Sequence, residues 1–293
     1  MKKKRLNIAI IGLGTIGAYL FNYLNLNKFQ ITKKNGVEPI ISYVSAKNKK
    51  KKRNIKLGKA KWLNNYLDAT KIKEIDIIIE LIGGSEGPAK KLVFLALKNK
   101  KHVVTANKAL ISKYGDDLSL IAEKNKVNLE FEAAVCGGVP ILRSIKEGLI
   151  ANKIQKVHGI LNGTSNYILT SMDKENCSFK DALEKAKSLG YAESNPASDL
   201  NGDDVSSKLK ILSSLCFNSF LVDKIHVEGI NNIDKEDIIN ANNLGYKIKL
   251  LGVSEFVNNR ICQRVHPALI KKSSYIASID GVLNAVITNG YPI

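Results

Sequence analysis

Between Gly190 and Lys208 a polar turn runs straight into a helix and gathers Glu193, Asp199, Asp203, Asp204 and Lys208 at one junction. Asp204 and Lys208 are four residues apart and share a helix face. The plainest account of the pair is an ordinary surface ion pair. The alternative is a lysine with carboxylates at the rim of a pocket. A partly buried lysine, or one beside another cation, has a lowered pKa and can exchange a proton with a substrate oxygen. Glu193, Asp199 and Asp204 suit an ammonium or a hydroxyl group. A second lysine, Lys108, follows the strand expected over 102–105, at the sheet edge where such folds bind ligands. A cleft between Lys108 and Lys208 would bring both to one substrate. A substrate carrying both an amine and a carboxylate fits this balance better than a hydrocarbon alcohol.

The elements that must hold these groups follow from periodicity and turn residues. The helix carrying Lys208 is expected to start at 201–203, on a short polar N-cap. Val205, Leu209, Leu212 and Cys216 form its buried stripe. At the chain's start, strand 6–11 enters Gly12-Leu13-Gly14-Thr15-Ile16-Gly17, followed by a helix with Leu20, Phe21 and Leu24 inward. The first glycine permits a tight turn, the second clears room for a pyrophosphate, and the third lets helix and strand pack closely. The helix N-terminus then meets the phosphates. Strand 39–45 ends in Ser45, Ala46 and Lys47, with Lys49 to Arg53 beyond. No acid stands there to repel a 2′-phosphate, so NADP is favoured over NAD, although a solvated basic loop would also accept NADH. Trp62 and Tyr66 fall in a short helical or irregular connection. Strand 76–82 is buried, and Gly83 and Gly84 turn beside the dinucleotide. Helix 88–98, strand 102–105 and strand 127–131 complete a parallel sheet.

After Glu132 the residues become small. The segment 133–140 reads as a tight hinge leading into helix 141–148. Its carbonyls and Glu132 are also of the kind that ligate a hard cation. Beyond it, strand 154–161 leads to a helix capped by 162–166, whose free N–H groups suit a carboxylate. Helices 179–189 and 235–244 and strands 225–229, 247–256, 261–265, 277–280 and 284–288 follow. His158 and His266 read as structural, His266 at a strand end. The expected class is α/β: a Rossmann-like parallel-sheet dinucleotide domain over 1–136, then an α+β catalytic and dimerisation domain over 137–293.

The 293 residues suffice for two cores, and a hydrophobic fraction of 44% argues for a folded globular chain. The net charge of +18 raises the question of nucleic acid. Aromatics are only 6%, with no zinc-finger spacing or stacking platform, so a nucleic-acid partner is not expected. The lysines cluster at 2–5 and 47–53, and their field attracts anionic ligands. Cys136, Cys177, Cys216 and Cys262 form no CxxC and read as reduced small hydrophobes in a cytoplasmic protein. No apolar run is long enough to span a membrane, and the short run after the first lysines reads as a strand, not a signal peptide.

Taken together, the glycine turn, Glu80-Leu81-Ile82-Gly83-Gly84, Thr105-Ala106-Asn107-Lys108, Glu132 to Ile141, Leu161-Asn162-Gly163-Thr164-Ser165-Asn166-Tyr167 and the Gly190–Leu209 stretch resemble homoserine dehydrogenase from Leu6 to about Gly290. The resemblance implies reversible, NAD(P)-dependent interconversion of L-aspartate 4-semialdehyde and L-homoserine, in a homodimer built through the second domain's sheet. It places Glu193, Asp199, Asp204 and Lys208 at substrate-binding and catalytic positions, and Lys108 near the nicotinamide. Lys208 or Lys108 would handle the proton, with Asp204 orienting Lys208. Glu132 and the backbone oxygens of Val135, Gly137 and Val139 resemble a structural monovalent-cation site, usually sodium. The family pattern continues past Tyr291-Pro292-Ile293 with a glycine-rich loop, a final helix and often a regulatory domain. Their absence implies weakened cofactor affinity and an exposed apolar face. The rival readings are a related amino-acid dehydrogenase and a non-catalytic or fragmentary dinucleotide-binding protein.

Overall fold

The computed structural model describes residues 4–220, 222 and 224–291. Lys2 and Lys3 of the first basic cluster, and Pro292 and Ile293, lie outside the described residues. The chain divides between Ala134 and Val135 into two compact units.

The strands of the first unit are β1 (Lys4–Ile11), β2 (Val37–Ser45), β3 (Lys61–Trp62), β4 (Ile77–Glu80), β5 (His102–Thr105) and β6 (Leu129–Glu130). They form a six-stranded sheet in the order β3-β2-β1-β4-β5-β6, parallel throughout. The order reverses between β1 and β4, which puts the ligand-binding crevice of such a sheet at their C-terminal ends. The isoleucine-rich cores of β1 and β4 suit strands covered on both faces. The covering helices are α1 (Thr15–Leu26), α2 (Lys28–Asn35), α3 (Pro88–Lys98) and α4 (Lys108–Asn125). Phe21 of α1 packs with Ile8, Ile10, Leu13, Ile41, Val44 and Ile79 in one buried cluster. Pro88 opens α3, where its missing N–H costs nothing, and Leu92, Val93, Ala96 and Leu97 form its buried face.

Periodicity misses α2 and α4, and Trp62 belongs to an edge strand rather than an irregular connection. β6 is shorter than the strand expected over 127–131. The Asn128 N–H donates to His102 Nδ1 at 3.0 Å, so that group serves a side chain rather than a ladder.

The second unit holds β7 (Lys153–Ile160), β8 (His226–Val227), β9 (Tyr246–Val257), β10 (Arg260–Lys271) and β11 (Ala285–Tyr291). The sheet order is β11-β7-β9-β10-β8; only the β10–β8 pairing is parallel. Its helices are α5 (Ile141–Arg143, continuing as a wider π turn over Ser144–Gly148), α6 (Gly163–Glu175), α7 (Phe179–Ser188), α8 (Ala197–Leu200), α9 (Asp203–Phe217) and α10 (Lys235–Asn243).

β10 continues well past Val265, so His266 and Pro267 lie within a strand and not at its end. The carbonyl of Val265 accepts from the Glu228 N–H, which sets that side of β10 toward β8. Pro267, two residues on, points to the same side beyond the end of β8, where a missing N–H breaks no ladder bond.

Residues 277–280 are not a strand. Tyr275–Ser278 is a 3-10 turn, and the next carbonyl, Ile279, accepts from Lys249 Nζ at 2.7 Å and Asn166 Nδ2 at 3.0 Å. Lys249 is only 2% exposed; its ammonium also reaches Asp280 at 3.0 Å and Asn166 Oδ1 at 3.0 Å. Asp280 further takes Lys174 at 2.9 Å and Lys247 at 3.5 Å.

Burial pushes the Lys249 ammonium below its ordinary pKa, and the Asp280 pair offsets this only in part. Asp280 is less enclosed. Burial raises its pKa, but the hydrogen bonds from Lys174 and Lys249 prevail and hold it at about 2. A carboxylate depressed from about 4 when unfolded to about 2 when folded contributes its full stability above the higher value and loses it as pH falls to the lower. At about 1.4 kcal/mol per unit this is worth about 3 kcal/mol. Asp280→Asn is expected to lower the unfolding free energy near neutrality by about that amount or more, and to flatten the stability loss between about pH 4 and pH 2. Urea unfolding across a pH series reads both, and equal acid slopes in the two proteins would refute the assignment.

Candidate active site

The glycine turn joins β1 to α1. Gly12 has φ +106°, and a Cβ there would lie 2.3 Å from the Leu81 carbonyl oxygen. A Cβ on Gly17 would lie 2.0 Å from the Gly12 oxygen. Both glycines are therefore demanded by close backbone approach, Gly12 to the residue after β4 and Gly17 to the turn itself. Gly14 differs: a Cβ there would meet no atom within 4 Å. It is the N-cap of α1, with no side-chain cap and no acid in the first turn. The N–H groups of Thr15, Ile16 and Gly17 belong to that uncapped first turn, and Leu13 is buried beneath it. Open space at Gly14 before a free helix N-terminus fits a pyrophosphate.

Arg53 ties the basic loop to this turn. Its Nε donates to the Leu13 carbonyl at 2.9 Å, Nη1 to Lys51 O at 2.8 Å and Nη2 to Asn48 O at 2.8 Å. The guanidinium also lies 5.6 Å from the Trp62 ring centroid. Of the cations grouped together in the sequence, Arg53 thus shapes the loop, while Lys47 and Lys49 to Lys52 project into solvent.

Gly83 and Gly84 follow β4 with φ +84° and +81°. Lys108 is the first residue of α4, whose N-cap Asn107 accepts from Leu110 N at 3.1 Å. Asn107 Nδ2 donates to Gly84 O at 2.7 Å, so the glycine turn and the start of the lysine's helix are joined directly.

In the second unit, Lys208 Nζ lies 2.7 Å from Asp204 Oδ2 and donates to Leu161 O at 2.7 Å. Asn162 Nδ2 donates to Asp204 Oδ2 and to Asp199 Oδ1, both at 2.8 Å. Its Oδ1 accepts from Ser165 N at 2.8 Å and so caps α6. Asp199, Asp204 and Lys208 are thus drawn together by the end of β7. Asp204 is buried and Lys208 nearly so, which is not the geometry of a solvated surface pair. Burial pushes the Cys136 thiol up; the Lys208 charge opposes this and the Asp204 charge adds to it.

Glu193 stands apart, its carboxylate exposed. Helix α9 starts at Asp203, within the expected 201–203, but its cap is not a polar side chain. The N-cap of α9 is Gly202, at φ +86°, and no side chain caps it. A Cβ there would press on Val227 and Val265 at 3.1 Å each. The expected stripe is buried: Val205, Leu209, Leu212 and Cys216. The bridging role of Asn162 was not visible in sequence, where its position signals only a helix cap. Asp199 and Asp204 lie 37 and 42 residues away.

Of the expected cation ligands, Glu132 belongs to the first unit and Val135, Gly137 and Val139 to the second. Cys136, at φ +47°, turns the chain between Val135 and Gly137, and Val139 O accepts from Ile141 N at 2.7 Å. A carboxylate with backbone carbonyls is a hard donor set suited to an alkali cation. Among the described residues no group of three or more His, Cys, Asp and Glu is placed to hold a metal, and no helix is long and apolar enough to cross a membrane. None of the four cysteines is in a disulfide; Cys136 and Cys216 are buried, whereas Cys262 is exposed.

Two family models match the chain: "Homoserine dehydrogenase, NAD binding domain" over residues 12–132 and "Homoserine dehydrogenase" over 140–293. Homoserine dehydrogenase of Neisseria gonorrhoeae is 42% identical over 287 residues, covering 98% of this chain and 66% of that protein. The Helicobacter pylori enzyme is 41% identical over 292 residues, covering 98% and 67%. The crystal structure of a homoserine dehydrogenase from Thiobacillus denitrificans superposes with a TM-score of 0.92 at 41% identity, covering 98% of this chain and 67% of that one. The chain thus spans about two thirds of the length of these relatives.

The double role of Asn162 yields a separable expectation. Asn162→Ala removes both the cap and the bridge and is expected to cost about 2–4 kcal/mol. Asn162→Ser keeps a capping oxygen and is expected to cost about 1–3 kcal/mol, nearly all from the bridge. Chemical denaturation of the three proteins measures this; a serine variant as stable as the original would show that the bridge contributes nothing.

Proposed function

The chain belongs to the homoserine dehydrogenase family, and we propose from that premise that it interconverts L-homoserine and L-aspartate 4-semialdehyde with a nicotinamide dinucleotide. The observation that carries the proposal is the buried Lys208–Asp204–Asn162–Asp199 network. A structural ion pair has no need of a second carboxylate held on the same amide.

The residues take the following roles. Residues 1–136 form the dinucleotide domain, in which Gly12 to Gly17 and Gly83 hold the cofactor, which supplies or accepts the hydride when bound. Residues 137–293 form the substrate and dimerisation domain. Asp199, Asp204 and Glu193 hold the substrate's ammonium and hydroxyl groups, and Asp204 orients Lys208. Lys208 and Lys108 hold and move the proton of the reacting oxygen. Two acceptors already fix the Lys208 ammonium, at 2.7 Å each, which leaves one N–H for a substrate oxygen. Glu132 and the carbonyls of Val135, Gly137 and Val139 hold a monovalent cation, sodium in this reading.

NADP is the preferred cofactor. The exposed lysines at 47 and 49–52 offer several ammonium groups and no acid. We place the enzyme in the cytoplasm as a homodimer formed through the second unit's sheet.

Homoserine-dependent reduction of NADP and NAD by the purified chain tests the proposal. Lys208→Ala and Lys108→Ala are each expected to lower kcat at least about 100-fold in protein that keeps its fold. Replacing Lys47, Lys49 and Lys50 together by Ser is expected to raise KM for NADP about 10-fold while changing KM for NAD less than about twofold. Turnover that survives both lysine substitutions would refute the catalytic assignment. An unchanged cofactor ratio would refute the basis for preference.

A further inference from the structure

Glu80 ends β4 and is fully buried, yet forms no ion pair among the described residues. Its two oxygens serve different masters. Oε1 accepts from Ile82 N at 2.7 Å and Gly83 N at 3.0 Å. Oε2 accepts from the Thr105 hydroxyl at 2.5 Å. Glu80 and Thr105 are register partners in β4 and β5. The Thr105 oxygen in turn accepts from Asn107 N at 3.0 Å. Asn107 then closes the circuit by donating to Gly84 O at 2.7 Å while capping α4.

The circuit runs from Glu80 through the glycine turn to Asn107, then through Thr105 back to Glu80. Two consecutive residues with positive φ make the turn at 83–84. Left alone, such a turn has many alternatives, because glycine is conformationally free. A neutral acceptor would satisfy its two N–H groups at less desolvation cost than a buried carboxylate. A side-chain carboxyl has two oxygens to offer, and this one acts at both ends of the circuit.

We propose that Glu80 is a positioning residue that locks the Gly83–Gly84 turn and the start of the Lys108 helix into one rigid body, so that cofactor seating and placement of Lys108 are set together. The inference rests on the reading of this unit as the cofactor site. Glu80 touches neither cofactor nor substrate in this account; it acts through Gly83, Thr105 and Asn107.

The two arms can be cut separately. Glu80→Gln keeps an oxygen for Ile82 and Gly83 and turns its amide to Thr105, where the bond is reversed: the amide donates to the Thr105 oxygen and the hydroxyl hydrogen loses its acceptor. Thr105→Val cuts the same arm from the other side, and Thr105→Ser restores the hydroxyl. Glu80→Ala cuts both. Glu80→Gln and Thr105→Val are expected to bind NADPH within about threefold of the original chain, by fluorescence titration, while kcat for homoserine oxidation falls about 10-fold and its alkaline pH limb shifts. KM for homoserine is unchanged, and Thr105→Ser recovers most of kcat. Glu80→Ala also weakens NADPH binding about 10-fold or more; should it fail to fold, the other three variants still decide the matter. A purely structural role predicts lower thermal stability with kcat and pH profile of the folded fraction unmoved, and that result would overturn the proposal.

Amide hydrogen exchange gives a readout independent of activity. Thr105→Val should speed exchange at Gly83, on the other arm of the circuit, about 10-fold. Unchanged exchange at Gly83 would overturn the coupling. An original chain that binds no dinucleotide, but shows the exchange effect, would sink the cofactor reading and leave the circuit standing.

Discussion

Two carboxylates share one amide nitrogen at the end of β7, and the second unit is arranged around making that tolerable. Asp199 and Asp204 each lie 2.8 Å from Asn162 Nδ2, so they stand within about 6 Å of each other; at an effective dielectric of about 20, two like charges that close cost about 3 kcal/mol. The Lys208 ammonium, 2.7 Å from the same Asp204 oxygen, offsets this repulsion. Removing the lysine would leave the carboxylates facing each other. Removing Asp204 would leave a nearly buried ammonium with only the Leu161 carbonyl. The ion pair and the amide bridge are therefore a single arrangement, and the helix start at Gly202 exists to deliver it. At φ +86°, with Val227 and Val265 close by, that residue turns the chain from α8 into α9 where a side chain would be strained and crowded.

The first unit meets the same demand by a parallel route. In each unit a strand ends, an asparagine follows within a residue or two, and its side-chain oxygen caps the next helix. Asn107 does this after β5 and Asn162 after β7. In each case the amide nitrogen is left over and is spent on a distant partner, Gly84 O in one unit and two carboxylates in the other. An N-cap serine or aspartate would satisfy the helix equally well. After capping, aspartate has no donor left and serine keeps a single O–H on a short arm, whereas asparagine keeps two N–H donors on a longer one, which gives a physical reason for that residue type at both junctions.

Which parts could be read from sequence follows from how local each interaction is. Helix 88–98 and strand 102–105 emerge with the bounds the sequence suggests, because proline, apolar spacing and charge all act within a few residues. The glycine turn is legible for the same reason, although only the structure separates Gly12 and Gly17, which avoid backbone collisions, from Gly14, which faces open space. Several of the failures are where a distant side chain claims a backbone group. Residues 277–280 have the alternation of a strand, but Lys249 and Asn166 occupy the Ile279 carbonyl. β6 loses residues because His102 takes the Asn128 N–H. Arg53 looks like one phosphate-binding cation among several until its donors are found on three backbone carbonyls. In the site itself, Asp204 and Lys208 declare themselves by spacing. The bridge from Asn162 spans too much sequence for any local rule.

These long-range bonds also bear on how the site would work. Lys208, Asp204 and Asp199 are held by groups of their own unit, and Lys108 begins a helix capped and anchored within its own. Lys208 needs no ligand to acquire its position, and neither does the backbone that carries Lys108. The entropy of ordering them is therefore lost when each unit folds and not during reaction, which is the condition under which fixed charges stabilise a transition state without reorganising. The consequence is a division of labour. The chain's general basicity, +18 overall, acts through solvent and draws anionic ligands in at long range. In the proposed reading, discrimination and chemistry fall to a few charges fixed within their own unit, with one Lys208 N–H left for the substrate. Screening by salt weakens the first contribution and leaves the second, buried and hydrogen-bonded, largely intact.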